Sequence, residues 1–374
     1  MMNTEKYKSK YPDAHTVYRG WKLKDGKIVF DANGKPVEAI VFAVEEKKPV
    51  EELKNPIPKK LGAIPTDVVE IPRIKANPPI GEKGKKLPKK KQVVDPRDLQ
   101  LKHRPIFGGL SVGHPDIMAG TIGSVVFMRK GVLDKVPGRS TVVYGAALAT
   151  EELSFWQRLI RWILGLFGYN DDVIDIPGGT GGNETEVIPL IMSNNHVIAN
   201  ENNALIGDPI IQPGDYDGGI QPNDVIGHLA AYTPVDERMN YLDIAFATID
   251  VPYEARIEGI PIVNTQTRIP AIGDIVQKIG RTTGHRYGKV IGLDATSDIE
   301  YDRGICQFID QIIIQDIVGE DYFCDGGDSG SLILDLDGHP VGLLFAGGGD
   351  ITLANKMSRI KEDYPIYFSQ NDVV

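Results

Sequence analysis

The chain has 374 residues, 41% of them hydrophobic, and a formal net charge of −10. That length and apolar content point to a globular protein with a sizeable core, and two cysteines, Cys306 and Cys324, exclude a disulfide framework or a cysteine-based zinc site. The charge is uneven: residues 1–104 carry 24 Lys and Arg against 14 Asp and Glu, the rest carry 17 against 37, and the acidic remainder argues against nucleic acid as a partner.

The N-terminal stretch MMNTEKYKSKYPD lacks the apolar core of a secretory signal, and no run of about 18 apolar residues follows. A cytoplasmic protein without stable membrane insertion is expected, with both cysteines free; a bridge between them is the lesser alternative. Residues 1–77 read as a small α+β domain. VYRGWKLKDGKIVF gives two short strands about Asp25-Gly26, EAIVFAVEEK a buried strand, PVEELKN a helical turn opened by proline, and TDVVEIP a last strand. Residues 78–103, with PPIGEKGKKLPKKKQVVDPR, read as a basic Lys/Pro-rich linker too polar to pack. Binding of nucleic acid or anionic lipid is the alternative for that lysine run.

Residues 104–374 are a succession of short Val- and Ile-rich strands separated by Gly, Pro, Asn and Asp, the pattern of a mainly β sandwich or barrel. One segment breaks it. EELSFWQRLIRWILGLFG, 151–168, has an apolar helical face and is expected to be an inserted amphipathic helix, packed on the barrel, with a lid, an oligomer contact or a membrane-surface element as alternatives.

The chemistry concentrates in three places. His196 follows the apolar run Val187 to Met192 and the polar SNN, which sets it just past a strand end at a barrel rim. Asp243 is the single carboxylate in the apolar strand YLDIAFA, where burial is costly unless something hydrogen-bonds it; an imidazole Nδ1–H would do so while fixing the ring's tautomer. Ser329 lies in FCDGGDSGSLILDLDGHPVGLLFAGGG. The hairpin there already has its turn at Asp337-Gly338, so the earlier glycines need another reason: Gly327 and Gly330 let the backbone turn its N–H groups toward a developing oxyanion beside the serine.

SNNHV, LDIAF and GDSGS, in that order and separated by 47 and 86 residues, resemble the histidine, aspartate and serine motifs of chymotrypsin-like (trypsin-like) serine peptidases. GGLSVGHPDIMAGTIGSVV, GDPIIQPGDYDGG, VQKIGRTTGHRYGKV and VGLLFAGG extend a closer similarity, over nearly the whole chain, to intracellular bacterial trypsin-like peptidases related to plant narrow-leaf proteins. The resemblance implies a double β-barrel, His196 as general base and acid, Asp243 as its orienting carboxylate, Ser329 as nucleophile, and the N–H groups of Gly327 and Ser329 as oxyanion hole. It implies Phe323 at the base of the primary pocket and Ala346, Gly347 and Gly348 along its wall, hence a small or apolar side chain before the scissile bond. Two departures stand out: Ser331 follows the motif in place of glycine, and the cysteines that accompany the histidine in secreted members are absent.

No cofactor and no metal are expected. QPGDYDGG is acidic but lacks calcium-loop spacing, His285 reads as structural, and Cys324 as a packed thiol. The implied partner is a protein or peptide substrate; self-association is left open. Asp328, which in secreted enzymes pairs with a freed N-terminus, needs another partner here, and residues 1 to about 100 are expected to restrain the catalytic part. A silent peptidase-fold binding protein and an esterase-like serine hydrolase are the rival readings.

Overall fold

The computed structural model describes residues 3–76, 94–133, 186–260, 263–317 and 323–373. The expected helix over 151–168 lies outside the described residues.

The short β-branched runs form strands, and the strands assemble into two β bodies. In the first, Ser124–Arg129, Val187–Ser193, Ala245–Thr248, Val225–Tyr232 and Pro209–Ile211 lie side by side in that order, all antiparallel. Val126, Leu190, Phe246 and Leu229 bury their side chains in one core. The Gly123 N–H extends the first ladder by donating to the Met192 carbonyl (2.8 Å), and a bridge from Gly113 to Ile211 covers the opposite edge of the sheet. Covering an edge removes unpaired groups that an open sheet would present.

The second body closes fully. Gly284–Tyr301 pairs with Gly304–Asp316, then Ile351–Lys356, Pro340–Gly348, Leu332–Asp335 and Ile275–Gly280, which returns to Gly284–Tyr301. Asp337-Gly338 forms the expected turn, with Gly338 at φ +82° and the Asp335 carboxylate accepting the Asp337 and His339 N–H groups. The chain is thus mainly β, with two β bodies as expected for it.

Two departures concern the N-terminal residues. The expected strands are present at Thr16–Trp21, Glu38–Val44 and Ile64–Glu70, and Asp25 and Gly26, both at positive φ, make the tight turn between Leu23–Lys24 and Lys27–Ile28. They do not form a separately packed unit, however. Gly284–Tyr301 is eighteen residues long; along one edge it pairs with Ile275–Gly280 through its first part and with Thr16–Trp21 through its second, so one sheet runs from the barrel into the N-terminal strands. Val41, Ala43 and Ile71 share a core with Ile299, Phe308 and Phe345, while Tyr11, Val17 and Phe42 pack on the other face beneath the helix Thr4–Lys10. The second departure is in the expected linker. Residues 94–103 pack on the first body: Val94 and Leu99 are buried, Asp95 caps Pro96–Leu99, and the Gln100 amide donates to the Arg281 carbonyl. Two apolar side chains and a capped turn outweigh the polar composition there.

Candidate active site

His196 sits in the one-turn helix Asn195–Ile198, directly after the strand that ends at Ser193. Asp243 lies two residues before the strand Ala245–Thr248, and this strand pairs with Val187–Ser193 from Leu190–Thr248 to Ser193–Ala245. The pairing register therefore brings the two together. The His196 Nδ1 to Asp243 Oδ2 distance is 2.5 Å, the His196 N–H donates to Asp243 Oδ1 (3.3 Å), and both side chains are 0% exposed. A carboxylate this deep is held by donors on several sides. Tyr301 donates its hydroxyl to Asp243 Oδ2 (2.6 Å), Asn194 Nδ2 to the Asp243 carbonyl (2.7 Å), and the Asp243 N–H is taken by Asn355 Oδ1 (2.9 Å). Burial, reinforced by the neighbouring Asp243 charge, holds the Tyr301 phenol well above its ordinary value, so it remains a donor.

The loop bearing Ser329 is attached to the histidine's strand through Thr121. Ser193 Oγ donates to the Thr121 carbonyl (2.9 Å), the Thr121 N–H donates to the Ser329 carbonyl (2.8 Å), and Thr121 Oγ1 donates to the Gly327 carbonyl (2.9 Å). Gly327 and Gly330 take φ of +93° and +94°. A Cβ on Gly330 would lie 2.2 Å from the Thr121 carbonyl oxygen, so both conformation and space require glycine.

Asp328 finds its partner in Lys278. The Nζ to Oδ2 distance is 2.7 Å with both side chains fully buried, and Thr283 Oγ1 and the N–H groups of Thr282, Thr283 and Asp325 also donate to the carboxylate. Burial works against the charge, but Lys278 and these donors prevail and hold the carboxyl below its usual range. Sequence reasoning missed this pair, although a lone lysine within DIVQKIG was a signal. Arg281 is another buried cation beside this loop. Its Nε donates to Asp217 Oδ2 (2.9 Å), which also accepts Ser111 Oγ, and Thr282 Oγ1 beside it donates to the Gly326 carbonyl (2.6 Å). The acidic QPGDYDGG stretch is thus tied to an arginine that joins the two bodies behind the serine loop.

The expected pocket residues separate. Phe323 is 1% exposed and packs with Val290, Ile314 and Ile333 in the barrel core, beneath Gly288, rather than at an open pocket floor. Ala346 is buried with Phe345. Gly347 and Gly348 do lie on an edge that meets an extended peptide, but the peptide is residues 73–76 of this chain: Lys75 pairs with Gly347, and a Cβ on Gly348 would lie 2.8 Å from the Arg73 carbonyl oxygen. Ser329 Oγ donates to the Ala76 carbonyl (3.3 Å), while His196 Nε2, buried, makes no hydrogen bond among the described residues.

The remaining candidates have structural partners. His285 Nε2 lies 2.9 Å from Gln277 Oε1 and burial lowers its pKa; both cysteines are free thiols, and burial pushes Cys324 up to about 12 and Cys306 to about 11. No helix among the described residues is long and apolar enough to cross a membrane.

Comparison with known proteins adds the following. The family described as Nal1 C-terminal domain matches residues 218–363, a span that includes Asp243 and Ser329 but not His196 and covers less than half of the chain. No curated protein matches. Among solved structures, the chain is similar to Thermobifida fusca protease A at 15% identity and a TM-score of 0.39, covering 70% of this chain and 97% of that one. Nocardiopsis protease matches at 13% identity and a TM-score of 0.39 over the same shares. Cellulomonas bogoriensis chymotrypsin matches at 17% identity and a TM-score of 0.33, covering 47% of this chain and 84% of that one.

Proposed function

We propose that this chain is a serine-type endopeptidase acting through Ser329, His196 and Asp243. The observation that carries this reading is the fully buried Asp243 carboxylate bound to His196 Nδ1, beside a serine loop held in left-handed glycine geometry. A buried charge of that kind destabilises the fold unless it has a task or a partner of equal weight, and its partner is an imidazole whose other nitrogen is left unbonded. In the reaction, His196 Nε2 takes the Ser329 proton as Oγ attacks a peptide carbonyl. Asp243 and Tyr301 hold the ring's orientation and stabilise the imidazolium that forms. The carbonyl oxygen, now negative, is met by the N–H groups of Gly327 and Ser329, each such donor contributing about 3 kcal/mol to barrier lowering. The amine leaves with the proton from His196, and water releases the acyl group by the same steps in reverse order.

One observation favours a second reading, a silent peptidase-fold binding protein: Ser329 Oγ is engaged with the Ala76 carbonyl rather than with His196. A single experiment separates the two. Purified protein is incubated with a fluorophosphonate probe and a diverse peptide library, and the labelled residue and cut bonds are mapped by mass spectrometry. Labelling of Ser329, lost in Ser329→Ala, together with peptide cleavage supports the peptidase. Cleavage retained by folded Ser329→Ala would refute it, and labelling without cleavage would favour an esterase-like hydrolase.

A further inference from the structure

The groove beside Ser329 is filled by the chain itself. Ile74–Lys75 inserts as a strand between the two edges that flank the serine loop, antiparallel to Pro340–Gly348 with Lys75 opposite Gly347, and parallel to Gly284–Tyr301 with Ile74 opposite Ile299 and Lys75 opposite Glu300. The Ala76 N–H donates to the Glu300 carbonyl (3.1 Å), and Lys75 Nζ pairs with the Glu300 carboxylate (3.0 Å). Ile74 and Ala76 are 0% exposed. The direction of this strand matters: run from amine to carboxyl along the Gly347 edge, it delivers one carbonyl, that of Ala76, to Ser329 Oγ. Strand addition to an open edge, with alternate side chains buried, is how an extended peptide is read by a groove.

The arrangement is that of an occupant held short of reaction. Attack on the Ala76 carbonyl carbon needs the Oγ proton directed at His196 Nε2 and the carbonyl oxygen held by the Gly327 and Ser329 N–H groups. Instead, the Oγ–H points at the Ala76 oxygen itself, His196 Nε2 is unbonded, and neither the Gly327 nor the Ser329 N–H donates to that oxygen.

We propose that residues 73–76 are a resident pseudosubstrate. Resting on the peptidase reading, this names both a restraint and a substrate class. The strand competes with substrate from within the molecule, where its effective concentration is high. Its sequence shows what the groove takes: an extended peptide with a small residue at the carbonyl facing Ser329 and a β-branched aliphatic residue two positions before it. The packing of Ala76 accounts for the small residue: it is 0% exposed and shares one core with Phe345 and Ala346, which leave no room for a larger side chain.

The test uses the full chain and two variants. Lys75→Pro removes a strand N–H at an exposed position, and Ala76→Trp places a side chain that the closed site cannot hold. Binding of fluorescein-labelled Ile-Pro-Arg-Ile-Lys-Ala amide is followed by anisotropy, which does not depend on catalysis, and Ser329 labelling by fluorophosphonate is timed in parallel. At least tenfold tighter peptide binding by either folded variant than by the unmodified chain, and weaker binding when the final Ala is replaced by Phe or Arg, is the expected result. Labelling should accelerate at least tenfold in the same variants and slow again when unlabelled peptide is added. Equal peptide binding by all three folded proteins would overturn the proposal, even if all three are labelled. Intact-mass detection of cleavage after Ala76 in the unmodified chain would overturn it differently, by making the strand a substrate. If peptide binding behaves as expected but no protein is labelled, the groove assignment stands and the peptidase reading fails.

Discussion

Replacing Lys278 with Met tests how the serine loop is held. The substitution keeps most of the side-chain volume and removes the charge that faces Asp328 at 2.7 Å, with both groups at 0% exposure. Breaking a buried pair by removing one partner typically costs about 3–5 kcal/mol, since the other charge stays buried. Four other donors still reach the Asp328 carboxylate, which places the expectation near the lower figure. With an unfolding entropy of about 2.1 cal/mol/K per residue, a chain of 374 residues should lose on the order of 4 °C in Tm. The pH dependence follows from linkage. The Asp328 carboxyl is held below its ordinary value of 3.8, so its contribution to stability is complete above that pH and is lost as pH falls through the lower folded value. Without Lys278, burial acts on the carboxyl with less opposition and its pKa rises. The gap in Tm between the two proteins should therefore be widest at pH 7 and should narrow as pH falls below about 4. Thermal unfolding followed by circular dichroism from pH 3 to 7 measures it. A gap under 1 °C at pH 7, or one that stays constant across the range, would refute the reasoning. Because Asp328 adjoins the nucleophile, the variant should also label more slowly with fluorophosphonate.

Tyr301→Phe removes one hydrogen bond to a buried carboxylate and keeps the ring that stacks on Phe308. A bond to a charged acceptor contributes about 1.5–3 kcal/mol, so kcat should fall roughly 10- to 100-fold with KM little changed; a purely structural role would lower Tm and leave the kcat of the folded fraction intact. Gly330→Ala should abolish Ser329 labelling and lower Tm sharply, since a Cβ would lie 2.2 Å from the Thr121 carbonyl at φ +94°. Gly26→Ala is its control. Gly26 has φ +74° with nothing within 4 Å of the added carbon, and should cost only about 1–2 kcal/mol of backbone strain with normal labelling.

How much of this was legible without coordinates depends on range along the chain. Local rules sufficed for the strands: Val- and Ile-rich runs between Gly, Pro and Asn punctuation give a mainly β chain, and Asp25-Gly26 and Asp337-Gly338 mark turns by their need for positive φ. Asp243 was found because a lone carboxylate in an apolar strand demands a partner, and the strand register supplies His196. The glycines flanking Ser329 were found for a similar reason. What only the tertiary structure decided are pairings between residues far apart in sequence, whose partners local patterns do not name. Lys278 reaches Asp328 because Ile275–Gly280 and Leu332–Asp335 are neighbours in the barrel, and Tyr301 reaches Asp243 across the two bodies. An eighteen-residue strand makes the N-terminal strands part of the same sheet, and this brings residues 73–76 to Ser329, more than 250 positions away. Composition alone made that stretch the end of a small domain; the backbone hydrogen bonds offered by the Gly347 edge and the Glu300 carbonyl made it the content of the groove.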